Sequence, residues 1–165
     1  MKRLPVIVLL TLLALGWALV SCGDDSCYDN GSSLPLASFY MDDNQTTVTG
    51  LTIKGIGNPG DSLLLDNSSA KEIYLPLRAT VSSTSYAVTR QITIGGGIAT
   101  VYDTLTFEYE PVAYFHSKEC GAMFNFDISH VGYTHNGIDS VVLLTPLVTN
   151  SHTPALRIYF TDFPS

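Results

Sequence analysis

Positive charge is scarce in this sequence. Lys and Arg number 8 against 15 Asp and Glu, for a formal net charge of −7. A nucleic-acid partner needs a basic patch to meet its phosphates, and this balance excludes one. Charged residues of both signs make up only 14% of the chain, and mean hydropathy is +0.22. Part of that excess comes from the first twenty residues. Cysteine is also sparse: the 3 present include no Cys-x-x-Cys pair, so neither a redox motif nor a zinc motif is encoded. No Gly-x-Ser-x-Gly elbow, phosphate loop or paired-carboxylate context occurs. The expectation is a protein that is not an enzyme and carries no cofactor. The length, 165 residues, suits one domain with a real core, and no internal repeat or second domain is visible.

What is present begins with a leader. Lys2 and Arg3 precede Leu4–Val20, an uncharged run that holds Pro5 and Gly16 and stops at Ser21. A membrane span needs roughly 18 or more apolar residues. This run is slightly shorter and has the layout of a secretory signal. The stretch Leu19-Val20-Ser21-Cys22 resembles the lipobox of bacterial lipoproteins. That resemblance implies cleavage before Cys22 and lipidation of Cys22, with residues 1–21 removed as a helical signal peptide. Loss of Lys2 and Arg3 makes the mature chain more acidic still. Several acyl chains on one residue anchor firmly, since each buried methylene contributes about 0.8 kcal/mol.

Residues 22–33, "CGDDSCYDNGSS", read as an acidic tether. Gly23-Asp24-Asp25 resembles the acidic export tags that follow the lipidated cysteine in Bacteroidota surface lipoproteins. With Cys22 assigned to lipid, Cys27 and Cys120 remain, 93 positions apart, as an even pair in an oxidising compartment. A disulfide between them is expected, two free thiols being the alternative. Closing so long a loop stabilises by about 4 to 5 kcal/mol in the chain-entropy model.

From residue 34 onward, strand and turn signals alternate. Strands are expected at Leu34–Met41, Thr46–Ile56, Leu63–Leu65 and Ile73–Leu77, with "GNPGD" as a turn cluster. In the next strand Tyr86, Val88, Ile92 and Ile94 share one parity. Gly95-Gly96-Gly97 suits a hairpin, having free access to positive φ. In "TVYDTLTFEYE", Val101, Leu105, Phe107 and Tyr109 face one way, and Tyr102, Thr104, Thr106, Glu108 and Glu110 the other. After Pro111 comes an aromatic stretch. Phe124, Phe126 and Ile128 then share parity with Cys120. Ile138–Leu144 is apolar on both faces, and Leu156, Ile158 and Phe160 close the sheet. The fold expected for residues 34–165 is all-β: an antiparallel β-sandwich, immunoglobulin-like or related, with a closed barrel second.

Few residues point to chemistry. His130, His135 and Asp127 do not match a standard metal-ligand spacing, and His116 and His152 stand apart from them, so loop histidines are expected. Asp42-Asp43-Asn44 lacks the alternation of a calcium loop and reads as a turn. Tyr40, Tyr102, Tyr114, Phe115, Tyr133 and Tyr159 offer rings that could stack on sugars or on a protein. The triplets at Asp61-Ser62-Leu63, Asp103-Thr104-Leu105 and Asp139-Ser140-Val141 resemble the O-glycosylation acceptor of Bacteroidota, making Ser62, Thr104 and Ser140 candidate modified residues.

The chain as a whole resembles an uncharacterised family of small Bacteroidota outer-membrane lipoproteins, a domain of unknown function. The residues that carry this are "SC" followed by acids, Cys27, "YLPL", the block "DTLTFEYEPVAYFHSKECGAMFNFDI" and the final "LRIYF". The resemblance implies pairing of Cys27 with Cys120, and loosely an outer-membrane β-barrel protein as a partner. It brings no activity. The function expected is a non-enzymatic, lipid-anchored envelope protein, held to the outer membrane on its periplasmic or cell-surface face, in binding or assembly support. A surface glycan-binding or adhesive module is the alternative.

Overall fold

The computed structural model describes residues 33–57, 62–118 and 121–163. The signal peptide, most of the tether, Cys22, Cys27 and Cys120 lie outside the described residues. The described residues form eleven strands and no helix. In chain order the strands are β1 (Leu36–Met41), β2 (Asn44–Gln45), β3 (Val48–Ile56), β4 (Leu63–Ala70), β5 (Glu72–Tyr74) and β6 (Ser83–Ile94). They continue as β7 (Gly97–Ser117), β8 (Gly121–Tyr133), β9 (Ile138–Leu143), β10 (Leu147–Val148) and β11 (Pro154–Phe160). Sheet A runs β2-β1-β11-β9, with β5 also paired to β1; sheet B runs β10-β8-β7-β6-β3-β4, and one of the two sheets curls into a half-barrel.

Two-residue periodicity drives sheet B. Val48, Leu51 and Ile53 of β3 are buried, as are Tyr86, Val88 and Ile92 of β6, and Leu105, Phe107 and Tyr109 of β7. β6 and β7 join through Gly95 and Gly96, both at positive φ (57° and 80°), the conformation a two-residue hairpin loop demands. Ile94 shares the inward parity but is exposed, because the hairpin tip projects past the body of the core. β8 carries one extra residue opposite the Glu108/Tyr109 step, a bulge that re-phases its faces and keeps Phe126, Ile128 and Val131 directed toward the core.

One apolar cluster fills the space between the sheets, drawing Phe39, Leu156, Ile158 and Phe160 from sheet A and Leu51, Ile53, Phe107, Tyr109 and Phe126 from sheet B. Its rings meet edge to face: Phe39 with Phe160 at 5.4 Å, and Tyr109 with Phe126 at 5.3 Å. Burying one such side chain stabilises by about 2 to 3 kcal/mol.

One expectation needs correction. The strands are not all antiparallel: β1 and β11, the middle of sheet A, run parallel from Leu36↔Pro154 to Tyr40↔Tyr159. Parallel neighbours need a crossover, and here all of sheet B supplies it. Pro111 lies inside β7, which runs on to Ser117. Pairing of β7 with β6 stops at Glu108, so Pro111 sits where that side of the strand has no strand partner to lose. Past this point β7 and β8 form an arm with a single ladder, on which Val112 and Phe115 are exposed.

Candidate functional site

Alternation along β11 puts Leu156, Ile158 and Phe160 in the core and turns Arg157 and Tyr159 outward. The parallel register sets Tyr40 of β1 beside Tyr159, ring centroids 5.2 Å apart and planes 36° tilted. The Arg157 guanidinium lies over the Tyr40 ring at 5.2 Å. Hydrogen bonding to Tyr159, and secondarily the neighbouring Tyr40, holds the Arg157 proton more firmly than in an isolated arginine. A cation and two rings therefore form one stack on the outer face of sheet A.

Beside the stack is an open groove of about 630 Å³, lined by Asp42, Asp43, Asp139, Ser140, Val142 and Tyr159, with Thr161 and Asp162 at its end. Three local features build it. Asp42 takes a left-handed conformation (φ 49°), which closes the β1–β2 turn; this is the plain turn expected at that place. On β9, Ile138 pairs with Phe160 and Ser140 with Tyr159, so Asp139 is an extra, bulged residue. Finally, Arg90 of β6 reaches from sheet B to hold the C-terminal segment. Its Nη1 donates to the Thr161 carbonyl at 2.8 Å, and its guanidinium lies over the Phe160 and Phe163 rings at 5.9 and 5.8 Å. Burial lowers the Arg90 pKa, and the Asp162 charge opposes that shift.

The loop that starts β9 is fixed by one carboxylate. Asp103, 7% exposed, shares the inward parity of Val101 and Leu105. Its Oδ1 accepts the Thr134 hydroxyl (2.6 Å) and the Asn136 N–H (2.9 Å). Its Oδ2 accepts the N–H groups of Gly137 (2.7 Å) and Ile138 (3.0 Å). Gly137 is tightly placed: a Cβ there would lie 2.9 Å from Val101 Cγ1 and 3.2 Å from Asp103 Oδ2. This clamp was not anticipated from sequence. Its signal was available, an acid on the buried parity of β7 and a distant Thr-x-Asn-Gly turn full of free N–H groups.

The three candidate O-glycosylation residues lie apart. Ser140 is half-buried in the groove; Thr104 lines a depression of about 310 Å³ on the outer face of sheet B with Thr106, Glu108, His130 and Gly132; exposed Ser62 borders a crevice of about 150 Å³ with Tyr86 and Arg78. In the Thr104 triplet the acid, Asp103, is consumed by the clamp. The histidines are separate too. His130 is exposed opposite Glu108, His135 packs on Tyr133 with ring centroids 4.6 Å apart, and His152 Nδ1 meets the Tyr74 hydroxyl at 2.8 Å. Among the described residues no three His, Cys, Asp or Glu side chains gather in a way that could hold a metal ion. No helix of the described residues is long and apolar enough to cross a membrane.

Residues 50–160, about two thirds of the chain from β3 to the end of β11, match the model of DUF6452, a family of unknown function. The chain belongs to this DUF6452 family. No curated protein and no solved structure matches it. The family match takes in the Asp103 clamp, Arg90, and Arg157 and Tyr159 of the stack; Tyr40, Asp42 and Asp43 precede it.

Proposed function

We propose that this DUF6452 chain is a non-enzymatic, lipid-anchored binding protein of the outer membrane. The outer face of sheet A is its recognition surface, and a surface glycan is the class of ligand. The Tyr40–Tyr159–Arg157 stack beside a groove of carboxylates and hydroxyls carries this reading. Rings present flat apolar area to a sugar face, and the flanking polar groups set its orientation. The scaffold is read as a β-sandwich variant, related to the immunoglobulin-like class, with one sheet curled.

The anchor rests on the lipobox-like sequence at Cys22. Pairing of Cys27 with Cys120 is supported by a contact between the segments that follow the two cysteines. Ser33 is buried, donates its N–H to the Phe124 carbonyl (3.3 Å) and its hydroxyl to Asn125 (2.8 Å), close in sequence to both cysteines. The test is retention of the full chain on an array of bacterial surface glycans. Tyr159→Ala and Arg157→Ala should each weaken binding tenfold or more, whereas Thr93→Ala, exposed near the tip of the β6–β7 hairpin of sheet B, should not. Retention that ignores both stack substitutions would refute the assignment of this face.

A second reading, assembly support beside an outer-membrane β-barrel protein, is favoured by the exposed arm of β7 and β8, where Phe115 is 70% exposed. A photo-crosslinker placed at Phe115 in cells separates the two readings. Capture of a barrel protein supports assembly, and its absence leaves the glycan reading alone.

A further inference from the structure

Sheet edges carry unpaired N–H and C=O groups, and proteins normally guard them with short strands, bulges, prolines or charges. Most edges here are guarded. β2 and β10 are two residues long and β5 three. β4 meets β3 through three register irregularities. The free side of the β7 arm carries Pro111. β9 ends sheet A with no further strand among the described residues, and its bulge and its one charge both sit at Asp139, near its start; beyond them Ser140–Leu143 and the following Leu144 read Ser-Val-Val-Leu-Leu, with no proline and no charge.

The direction of its free groups follows from hydrogen bonding. Leu144 donates its N–H to the Ala155 carbonyl, on the β11 side (2.8 Å). Alternation then turns Ser140 and Val142 toward β11, and Val141 and Leu143 away from it. Asp139 also points away, and His135 Nδ1 already meets its carbonyl at 3.2 Å. The free window is therefore centred on Val142, whose side chain is 43% exposed on the outer face.

We propose that β9 pairs antiparallel with β9 of a second copy of this chain about a two-fold axis at Val142. In that register Val141 of each copy exchanges both backbone bonds with Leu143 of the other. Val142 lies across from its own counterpart, Ser140 from Leu144, and Asp139 from Thr145. No like charges meet, which is the condition a self-complementary edge must satisfy. The two copies of sheet A become one continuous sheet. Because Asp139, Ser140 and Val142 also line the groove, the two grooves adjoin across the axis. The pairing needs only the edge and holds whether or not the groove binds glycan.

The test is cross-linking of the full chain in its own membranes, read on non-reducing gels with the linked peptides mapped by mass spectrometry. Residues facing each other in a non-hydrogen-bonded antiparallel pair have Cα atoms about 4.5 Å apart, within disulfide reach. Val142→Cys should give a dimer joined through position 142. Ser140→Cys alone and Leu144→Cys alone should give none through those positions, and the two co-expressed should give a dimer joining 140 to 144. Val142 and Leu144 are exposed and half-buried Ser140 lines the open groove, so these variants should retain the fold. Failure of Val142→Cys to link, or equal linking at 140, 142 and 144, overturns the proposal. Occupation of the edge by the chain's own tether or by another protein's strand would produce that failure.

Discussion

Replacing Asp103 tests the clamp most directly. Asparagine has nearly the same shape, so Asp103→Asn opens no cavity. It does replace an acceptor of two bonds by an amide that can only donate. Whichever way the amide turns, two of the four donors of Thr134, Asn136, Gly137 and Ile138 then face an N–H₂ group. Hydrogen bonds to a charged group contribute about 1.5 to 3 kcal/mol each, and a buried N–H left without a partner costs about 1 to 3 kcal/mol. Loss of two such bonds, moderated by some shift of an exposed loop, comes to about 3 kcal/mol. For a domain of this size that lowers the melting temperature by about 10 °C. Asp103→Ala loses all four bonds and should cost more, about 4 to 5 kcal/mol by the same reasoning. Thermal unfolding followed by circular dichroism gives the global number. Hydrogen exchange gives the local one: the amides of Asn136, Gly137 and Ile138 should exchange faster in Asp103→Asn, while those of β6 stay protected until global unfolding. A fall of less than about 2 °C, or unchanged exchange at those three amides, would refute the clamp as the element that fixes the start of β9.

Alkaline pH should weaken the fold through Tyr86. Burial, reinforced by Tyr109 and opposed by Arg78, raises its pKa well above the usual phenol range, and its hydroxyl donates to the Pro76 carbonyl. The unfolded chain releases this proton near pH 10 and the folded one only higher, so stability is intact below about pH 10 and falls above it. Tyr86→Phe should flatten that fall and cost about 1 kcal/mol at neutral pH, measured by denaturant titration. Gly50→Ala should destabilise by more than about 1 kcal/mol, because φ there is 65° and a Cβ would meet the Gln91 carbonyl oxygen at 2.6 Å; an unchanged denaturation midpoint would contradict the register of β3 on β6. Cys27 and Cys120 should appear as one linked peptide in the non-reduced digest, and alkylation of both without reduction would end that pairing. Fatty-acid labelling of cells should tag the wild type but not Cys22→Ala.

Local pattern carried much of this fold into view. The parities of β3, β6 and β7 and the Gly95-Gly96 hairpin follow from neighbours one to four residues apart. The same parities hold two polar residues passed over in reading the strands, Arg90 among Tyr86, Val88 and Ile92, and Asp103 among Val101 and Leu105. Each faces inward because a partner far along the chain receives it: Thr161 and the Phe160 and Phe163 rings for Arg90, the Asn136–Ile138 amides for Asp103. Periodicity marks which way a residue points and is silent on what it meets. The site is hidden for the same reason. Tyr40 and Tyr159 were visible as aromatics, but their stack exists only because β1 and β11 are parallel neighbours, and no local signal encodes that pairing.

The parallel pair at the middle of sheet A also sets an order of assembly. The hairpins of sheet B close between strands adjacent in the chain, whereas Leu36 must wait for Pro154. Contacts of such separation form late, since the intervening loop entropy is met before they contribute anything. During synthesis the N-terminal segment emerges first, and β1, "LASFYM", stands without its central partner. It remains an apolar strand with an open side until the last residues of the chain arrive. A chain that stops short of β11 therefore loses the keystone of the sheet rather than a dispensable border, and chaperones and proteases meet an unclosed molecule for as long as β11 is missing.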